Sequence, residues 1–282
     1  MYLTLSENSY RDNGTINIYV VTHKDFNLSK LDLDKCYKVI AVGNEKIKQT
    51  LGYLRDDCKD NIAEKNKNYC ELTAQYWYWK NDKSADIVGL CHYRRYFTKY
   101  LISKNSKGIL RANDIKKILS KYDVIVPQKV YSYRGAYKAY LDCGYEKDLN
   151  ILEDVIRQNF PEYLADYNRY FKFCACNYPA NMYISSKSIS DKYSQWLFQV
   201  LTEVEKKVDI TEYSMQEARI FGYMSERLLG VWLHYNNYKI KEMRIINTEE
   251  KIGINGYFVE LLKTFKVYQG IKKTIYQLRK GN

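Results

Sequence analysis

Residues 86–91 (DIVGLC) constrain this chain more than any other segment. After the aspartate every position is apolar, so alternate residues cannot be shared out between water and core. A strand of that kind is buried on both faces. Both faces then need a cover, and helices on a largely parallel sheet are the economical one.

The remaining chain offers the pieces for such layers. Residues 16–22 and 37–42 are β-branched runs that read as strands, the second closed by Gly43; 123–127, 180–185 and 238–246 read as later ones. Residues 52–67 read as a polar loop. Asn68-x-x-Glu71 has the form of a capping box and predicts a helix running to Asn81, with Tyr69, Leu72, Thr73 and Tyr76 on one face. Helical spacing also marks 114–121, 147–158 (Leu149, Leu152, Val155, Ile156), 191–207 (Tyr193, Trp196, Leu197, Val200, Leu201, Val204) and 212–234. Strands alternating with helices predict an α/β domain with a mostly parallel sheet.

Composition narrows the classes. Of 282 residues 46% are hydrophobic and 28% charged, a globular balance that excludes disorder. No apolar run is long enough for a transmembrane helix, and the N-terminal residues lack a signal-peptide layout, so a cytoplasmic location is expected. The seven cysteines contain no C-x-x-C pair and predict reduced thiols rather than a zinc site. The 30 tyrosines suit cores and half-wet clefts alike. The net charge of +12 is uneven: 12 Lys/Arg against 2 Asp/Glu fall within 92–140, and 6 against 1 within 257–282. Such zones fit a phosphorylated ligand, nucleic acid or an anionic membrane.

In open α/β sheets ligands bind beyond the carboxyl ends of the strands. That rule selects Thr22-His23-Lys24, His92-Tyr93-Arg94-Arg95-Tyr96-Phe97 and the loop after Pro127. Two adjacent guanidinium groups at a strand end must face water, pair with a local carboxylate such as Asp86 or Asp57, or hold an anion. Arg forks fit phosphate oxygens bidentately, so a diphosphate is the natural anion for Arg94 and Arg95, with His92 beside them.

Residues 89–97 (GLCHYRRYF) resemble the signature of the DUF4422 family of bacterial exopolysaccharide and capsule biosynthesis proteins. The resemblance extends to Thr22-His23-Lys24, Asp56-Asp57, Asp60-Asn61-Ile62, Lys65-Asn66, Asn68-Tyr69-Cys70-Glu71-Leu72-Thr73, Tyr178-Pro179-Ala180-Asn181-Met182 and the block 219–228. It implies a GT-A-like, Rossmann-like nucleotide-sugar glycosyltransferase over 1–255, with a helical C-terminal part. Some members are associated with galactofuranose transfer, which makes UDP-galactofuranose a candidate donor. The resemblance further implies that Thr22, His23, Lys24, Asn61, Lys65 and Asn66 contact the nucleotide. It places Asn181, with Arg219 and Tyr223, at the donor sugar or acceptor. Between Tyr140 and Leu149 relatives are expected to carry a histidine; this chain has none there.

Many GT-A enzymes hold Mg²⁺ or Mn²⁺ with an Asp-x-Asp where this chain carries His-Tyr-Arg-Arg. Cations there repel a metal, so no metal cofactor is expected; the alternative is a Mg²⁺ or Mn²⁺ site on Asp56, Asp57 and Asp60. Candidate bases for the acceptor hydroxyl are Glu226, Asp142, Asp148 and Glu146. Helical spacing puts Arg219, Tyr223 and Glu226 on one face. The basic, aromatic segment 256–282 predicts an amphipathic helix suited to the inner face of the plasma membrane, where a lipid-linked oligosaccharide acceptor would lie. A nucleic-acid-binding protein and an inactive scaffold of a polysaccharide assembly complex are the rival readings; the absence of any nucleic-acid-binding motif weighs against the first.

Overall fold

A computed structural model describes residues 14–43, 52–100, 106–132 and 134–249. The C-terminal helix expected over 256–282 lies outside them.

One sheet organises the fold. Its first strands, β1 (Ile16–Thr22), β2 (Tyr37–Ala41), β3 (Leu54–Arg55) and β4 (Ile87–His92), run parallel, with β1 between β2 and β4. β1 is buried along its whole length, and its residues alternate between two cores. Tyr19 and Val21 enter one; Ile16, Ile18 and Val20 enter the other. Val88 and Leu90 against Ile87 and Cys91 repeat the division on β4. A sheet covered on both faces is what the run at 86–91 demands.

Beyond β4 the expectation of a mostly parallel sheet fails. β5 (Arg95–Thr98) folds back on β4 through a two-residue hairpin, His92 opposite Arg95. β9 (Tyr183–Ser186) lies antiparallel to both β4 and β6 (Val124–Pro127), and β10 (Ile240–Asn247) runs parallel to β6 and antiparallel to β5. The sheet is mixed. β4 and β9 approach so closely that a Cβ on Gly89 would stand 2.6 Å from Ile184 Cγ1 and 2.8 Å from the Tyr183 carbonyl oxygen. A short two-stranded antiparallel pair, β7 (Val130–Tyr131) with β8 (Cys176–Asn177), stands apart from this sheet.

The helices are α1 (Asn66–Tyr69), α2 (Leu72–Asn81), α3 (Ala112–Leu119), α4 (Ala136–Tyr140), α5 (Glu146–Asn159), α6 (Leu164–Tyr167), α7 (Lys187–Glu205) and α8 (Ile220–Tyr235). The predicted apolar stripes of α5 and α7 are buried residue for residue. The helix expected over 212–234 is shorter: turns and a 3-10 stretch, Glu217–Arg219, precede Ile220. The strand expected from Ala180 starts at Tyr183, because Ala180 and Asn181 both adopt left-handed backbone (φ 66° and 50°). The capping box at Asn68 is not formed. Cys70 takes φ 53° and separates α1 from α2, and Asn68 Nδ2 instead donates to the Ala218 carbonyl.

The tyrosines are largely core. Tyr69, Tyr78, Tyr96, Tyr140, Tyr167, Tyr178 and Tyr183 are among the largest fully buried side chains. Several hydroxyls find partners there, such as Tyr78 with Tyr183 at 2.6 Å and Tyr19 donating to Asp82 at 2.7 Å.

Candidate functional site

A cleft of about 820 Å³ opens at the carboxyl ends of β1, β2 and β4, walled opposite by the start of α8. Local geometry delivers each side chain. The β4–β5 hairpin puts Tyr93 and Arg94 at its two-residue turn and Arg95 across from His92. Directly opposed residues of an antiparallel pair share a face of the sheet, so His92 and Arg95 line the cleft together. The first turns of α8 contribute Gly222, Tyr223 and Glu226, and Arg219 precedes them, as the helical spacing predicted. Gly43 closes the end of β2 with φ +69°; a Cβ there would stand 2.3 Å from Asn66 Oδ1.

Positive charge dominates one side. His23 is held below the ordinary histidine range by burial and by Lys24, Arg94, Arg219 and His92 around it. Arg94 lies 5.6 Å from the Tyr93 ring centre and Lys24 4.9 Å from it. Neither Asp86 nor Asp57 takes the arginines: Asp86 accepts from the Thr15 N–H and Asp57 binds Arg55 at 2.9 Å. Glu249 instead meets Lys24 at 3.1 Å and Arg94 at 3.6 Å. Arg95 has no carboxylate within salt-bridge distance among the described residues. Elsewhere in the basic zone, Lys99, Arg111, Lys129 and Arg134 each pair with a carboxylate. The zone is therefore less a continuous cationic face than its composition implied.

Negative charge sits on the other side, on Glu71 and Glu226. Burial, reinforced by the Glu71 carboxylate, pushes Glu226 up to about 7, while Arg227 and the Ala180 N–H oppose the shift. The turn Pro179–Asn181 braces this wall. Its Ala180 N–H donates to Glu226 Oε1 at 2.9 Å, and His92 Nε2 donates to the Ala180 carbonyl at 2.7 Å. Asn181 Nδ2 donates to Glu71 Oε1 at 2.6 Å and to the Gly222 carbonyl at 3.2 Å. Burial keeps His92 below its ordinary range, against the pull of Glu71. Burial thus favours the neutral ring, and a neutral ring donating through Nε2 leaves Nδ1 as an acceptor.

The structure thus brings His23, Asn66, His92, Arg94, Arg95, Arg219, Tyr223 and Glu226 to one cleft. Other expected residues fall elsewhere. Thr22 is fully buried, its hydroxyl bonded to Lys24. Lys24 stands beside the cleft at Glu249. Asn61 shapes a turn between the Lys59 carbonyl and the Ala63 N–H, and Lys65 pairs with Glu205 at 2.8 Å. Asn181 lies behind the wall it supports. Asp142 is exposed and paired with Arg134 at 2.5 Å, and Glu146 accepts from Tyr137. Asp148 is buried and accepts from Tyr213, which itself lines the cleft. None of these three carboxylates lines it. Asp56, Asp57 and Asp60 do not converge either: Asp56 accepts from Thr73 at 2.7 Å, Asp57 binds Arg55, and Asp60 accepts from Tyr76 at 3.1 Å. Among the described residues no group of three His, Cys, Asp or Glu is placed to hold a metal ion.

Glu71 was missed as a site residue. Read as a cap, it faces the cleft instead, because the left-handed Cys70 turns the chain between α1 and α2. Cys70 also meets Arg219, whose Nε donates to its Sγ at 3.2 Å. Tyr213, Met215 and Gln216 came from a stretch expected to be helical; as turns they form the outer lip.

Fold and cleft together define an α/β protein whose sheet ends in a pocket with cationic side chains on one wall and a carboxylate of raised pKa on the other. The chain belongs to the family described as "Domain of unknown function (DUF4422)", which matches residues 17–237. Among solved structures it is similar to the apo structure of WbbM, a bifunctional glycosyltransferase, with 27% identity and a TM-score of 0.72. The likeness covers 84% of this chain and 46% of that one, so this chain spans less than half of that protein. Among curated proteins no relative matches.

Proposed function

We propose that the protein is a GT-A-type glycosyltransferase that moves a sugar from a nucleotide-sugar donor to a saccharide acceptor. The observation that carries this reading is one cleft holding Arg94 and Arg95 on one wall and Glu226, pushed up to about 7, on the other. The likeness to a bifunctional glycosyltransferase supports the same class.

The donor diphosphate lies against Arg94 and Arg95, with His23 and Arg219 adding donors, while His92 holds the Ala180 turn beside them. Two guanidinium groups supply charge and bidentate hydrogen bonds to the leaving group, so the bond from sugar to phosphate breaks as negative charge moves into a preorganised cationic wall. Glu226 in its ionised form takes the proton of the acceptor hydroxyl. The acceptor oxygen then attacks the anomeric carbon and the nucleoside diphosphate departs. A carboxylate poised near neutrality is both available as a base and basic enough to be useful. Glu71 keeps it so.

The reading is metal-independent. Its support is the arginine pair where an acidic metal motif would stand, together with the engagement of Asp56, Asp57 and Asp60 by Thr73, Arg55 and Tyr76. A UDP-linked donor, with UDP-galactofuranose among the candidates, and a lipid-linked acceptor at the cytoplasmic membrane surface rest on the family resemblance and on the basic composition of 256–282. No helix among the described residues is long and apolar enough to cross a membrane.

Thermal-shift and calorimetric titration with UDP, GDP, CMP and dTDP tests the reading. Selective stabilisation by UDP, lost in Arg95→Ala and reduced in Arg94→Ala, is the expected result; no response to any nucleotide overturns it. Donor turnover measured with and without EDTA tests the metal question, and complete loss restored by Mn²⁺ overturns the arginine mechanism.

A further inference from the structure

Cys174 and Cys176 come together where the chain enters β8, their Sγ atoms 3.3 Å apart. The backbone on either side is tied to the 130–136 segment. The Ser132 N–H donates to the Ala175 carbonyl, the Ala136 N–H donates to the Cys174 carbonyl, and Cys176 pairs with Tyr131. A bend at Ala175 turns the two side chains to the same side. Residues two apart with converging side chains lie within the Cα separation a disulfide spans.

The two sulfurs differ in surroundings. Cys174 is half-buried beside the widely exposed Phe173, whereas Cys176 is buried. The Cys176 thiol, the backbone N–H groups of Cys176 and Ala175, and Lys129 hold the Cys174 thiol below the ordinary range, although burial works the other way. The hydrogen bond with Cys174, and then burial, push Cys176 up. Lys129 is itself fixed, 3.3 Å from Glu242 and 5.2 Å from the Tyr178 ring centre. Burial raises Cys36, Cys70, Cys91 and Cys143.

We infer that Cys174 and Cys176 form a thiol–disulfide exchange centre, with Cys174 as the attacking thiolate, Cys176 as the resolving thiol and a low-molecular-weight disulfide as oxidant. The Cys174 thiolate attacks one sulfur of the oxidant. That S–S bond breaks, one thiolate leaves, and a mixed disulfide forms on Cys174. Cys176 loses its proton to water and attacks the Cys174 sulfur, expelling the second thiolate. The two protein thiols are oxidised to one disulfide while the oxidant is reduced to two thiols. An accessible thiolate next to a resolving thiol has the arrangement such exchange needs. The centre lies just before the Pro179–Asn181 turn, but its chemistry does not depend on what the cleft binds.

The full-length protein is reduced, exchanged into glutathione disulfide and mapped by peptide mass spectrometry. A single peptide containing a Cys174–Cys176 disulfide is the expected product. Cys176→Ser stops at glutathione on Cys174, and Cys174→Ser leaves Cys176 unmodified. With iodoacetamide at about pH 6.5, Cys174 is alkylated roughly tenfold faster than the exposed Cys58. Wild-type mapping alone decides the matter if a variant misfolds: glutathione on Cys58 with Cys174 and Cys176 still reduced overturns the inference.

Discussion

His92 and Glu226 grip the same backbone residue from opposite walls of the cleft. His92 donates to the carbonyl of Ala180, and the N–H of Ala180 donates to Glu226. The two side chains are 134 positions apart in sequence, yet their relative placement is fixed by one left-handed turn. The positions of the cationic and acidic halves of the site are thereby linked.

Glu226 should show this in its pH behaviour. Its pKa in the folded protein, about 7, stands above the ordinary 4.5, so the native state binds the proton more tightly than the unfolded chain. This group's contribution to stability is therefore full below 4.5 and is lost as pH rises through about 7. Glu226→Gln removes that loss and raises Tm relative to wild type at alkaline pH. The same substitution lowers kcat by about 10²–10⁴-fold with donor affinity nearly unchanged. Calorimetric scans across pH and steady-state kinetics check the two halves; a variant with wild-type kcat contradicts the assignment of the base.

Arg95 should matter more to donor binding than Arg94. Arg94 is 38% exposed and shared with Glu249, whereas Arg95 faces the cleft with no such partner among the described residues. Replacing a charged donor to a leaving diphosphate costs about 10²–10³-fold in turnover. Arg95→Ala is expected at the upper end and Arg94→Ala at the lower. Equal, small effects on kcat/KM and on UDP affinity would remove the arginines from the mechanism.

The histidines report an anion directly. Burial and four neighbouring cationic or basic groups depress His23, and a bound diphosphate reverses the electrostatic part. Its pKa should rise on UDP binding, by about one unit or more. His234, stacked on Tyr170 and pushed down to about 4 by burial, does not line the cleft and should stay put. An NMR titration of the ring signals with and without UDP separates the two; an unmoved His23 argues against an anion beside it.

Asn181 should be intolerant of charge. It is 2% exposed and donates to the Glu71 carboxylate. Asn181→Asp sets two carboxylates in contact and removes the donor, at a cost of roughly 3 kcal/mol. Asn181→Gly keeps the left-handed backbone but also loses the donor, and should cost less, since it adds no second charge. Urea denaturation of the two variants gives the order.

Much of the fold was legible because its signals are local. The burial of β1 and β4 and the stripes of α5 and α7 are repeats among near neighbours, read from side-chain type alone. The errors fall where tertiary contacts override such patterns. Asn68 left its cap to bond Ala218, Glu71 turned into the cleft behind Cys70, and the strand expected at Ala180 gave way to a turn whose left-handed residues serve His92, Glu226 and Glu71. Cys174-Ala175-Cys176 carried no expected role; only the bend at Ala175 makes it a pair.

The amino-acid sequence by itself determined that a doubly covered strand ends in His92-Tyr93-Arg94-Arg95, because a continuous apolar run has one stable environment and adjacent guanidinium groups cannot follow it inward. The tertiary structure decided the direction of the later strands and which carboxylates meet those arginines. β9 enters antiparallel between β4 and β6, and α8 brings Glu226, rather than Asp142 or Asp148, to the opposite wall. Strand direction and long-range neighbours follow from how distant segments pack, and the periodicity of a short stretch carries no record of that.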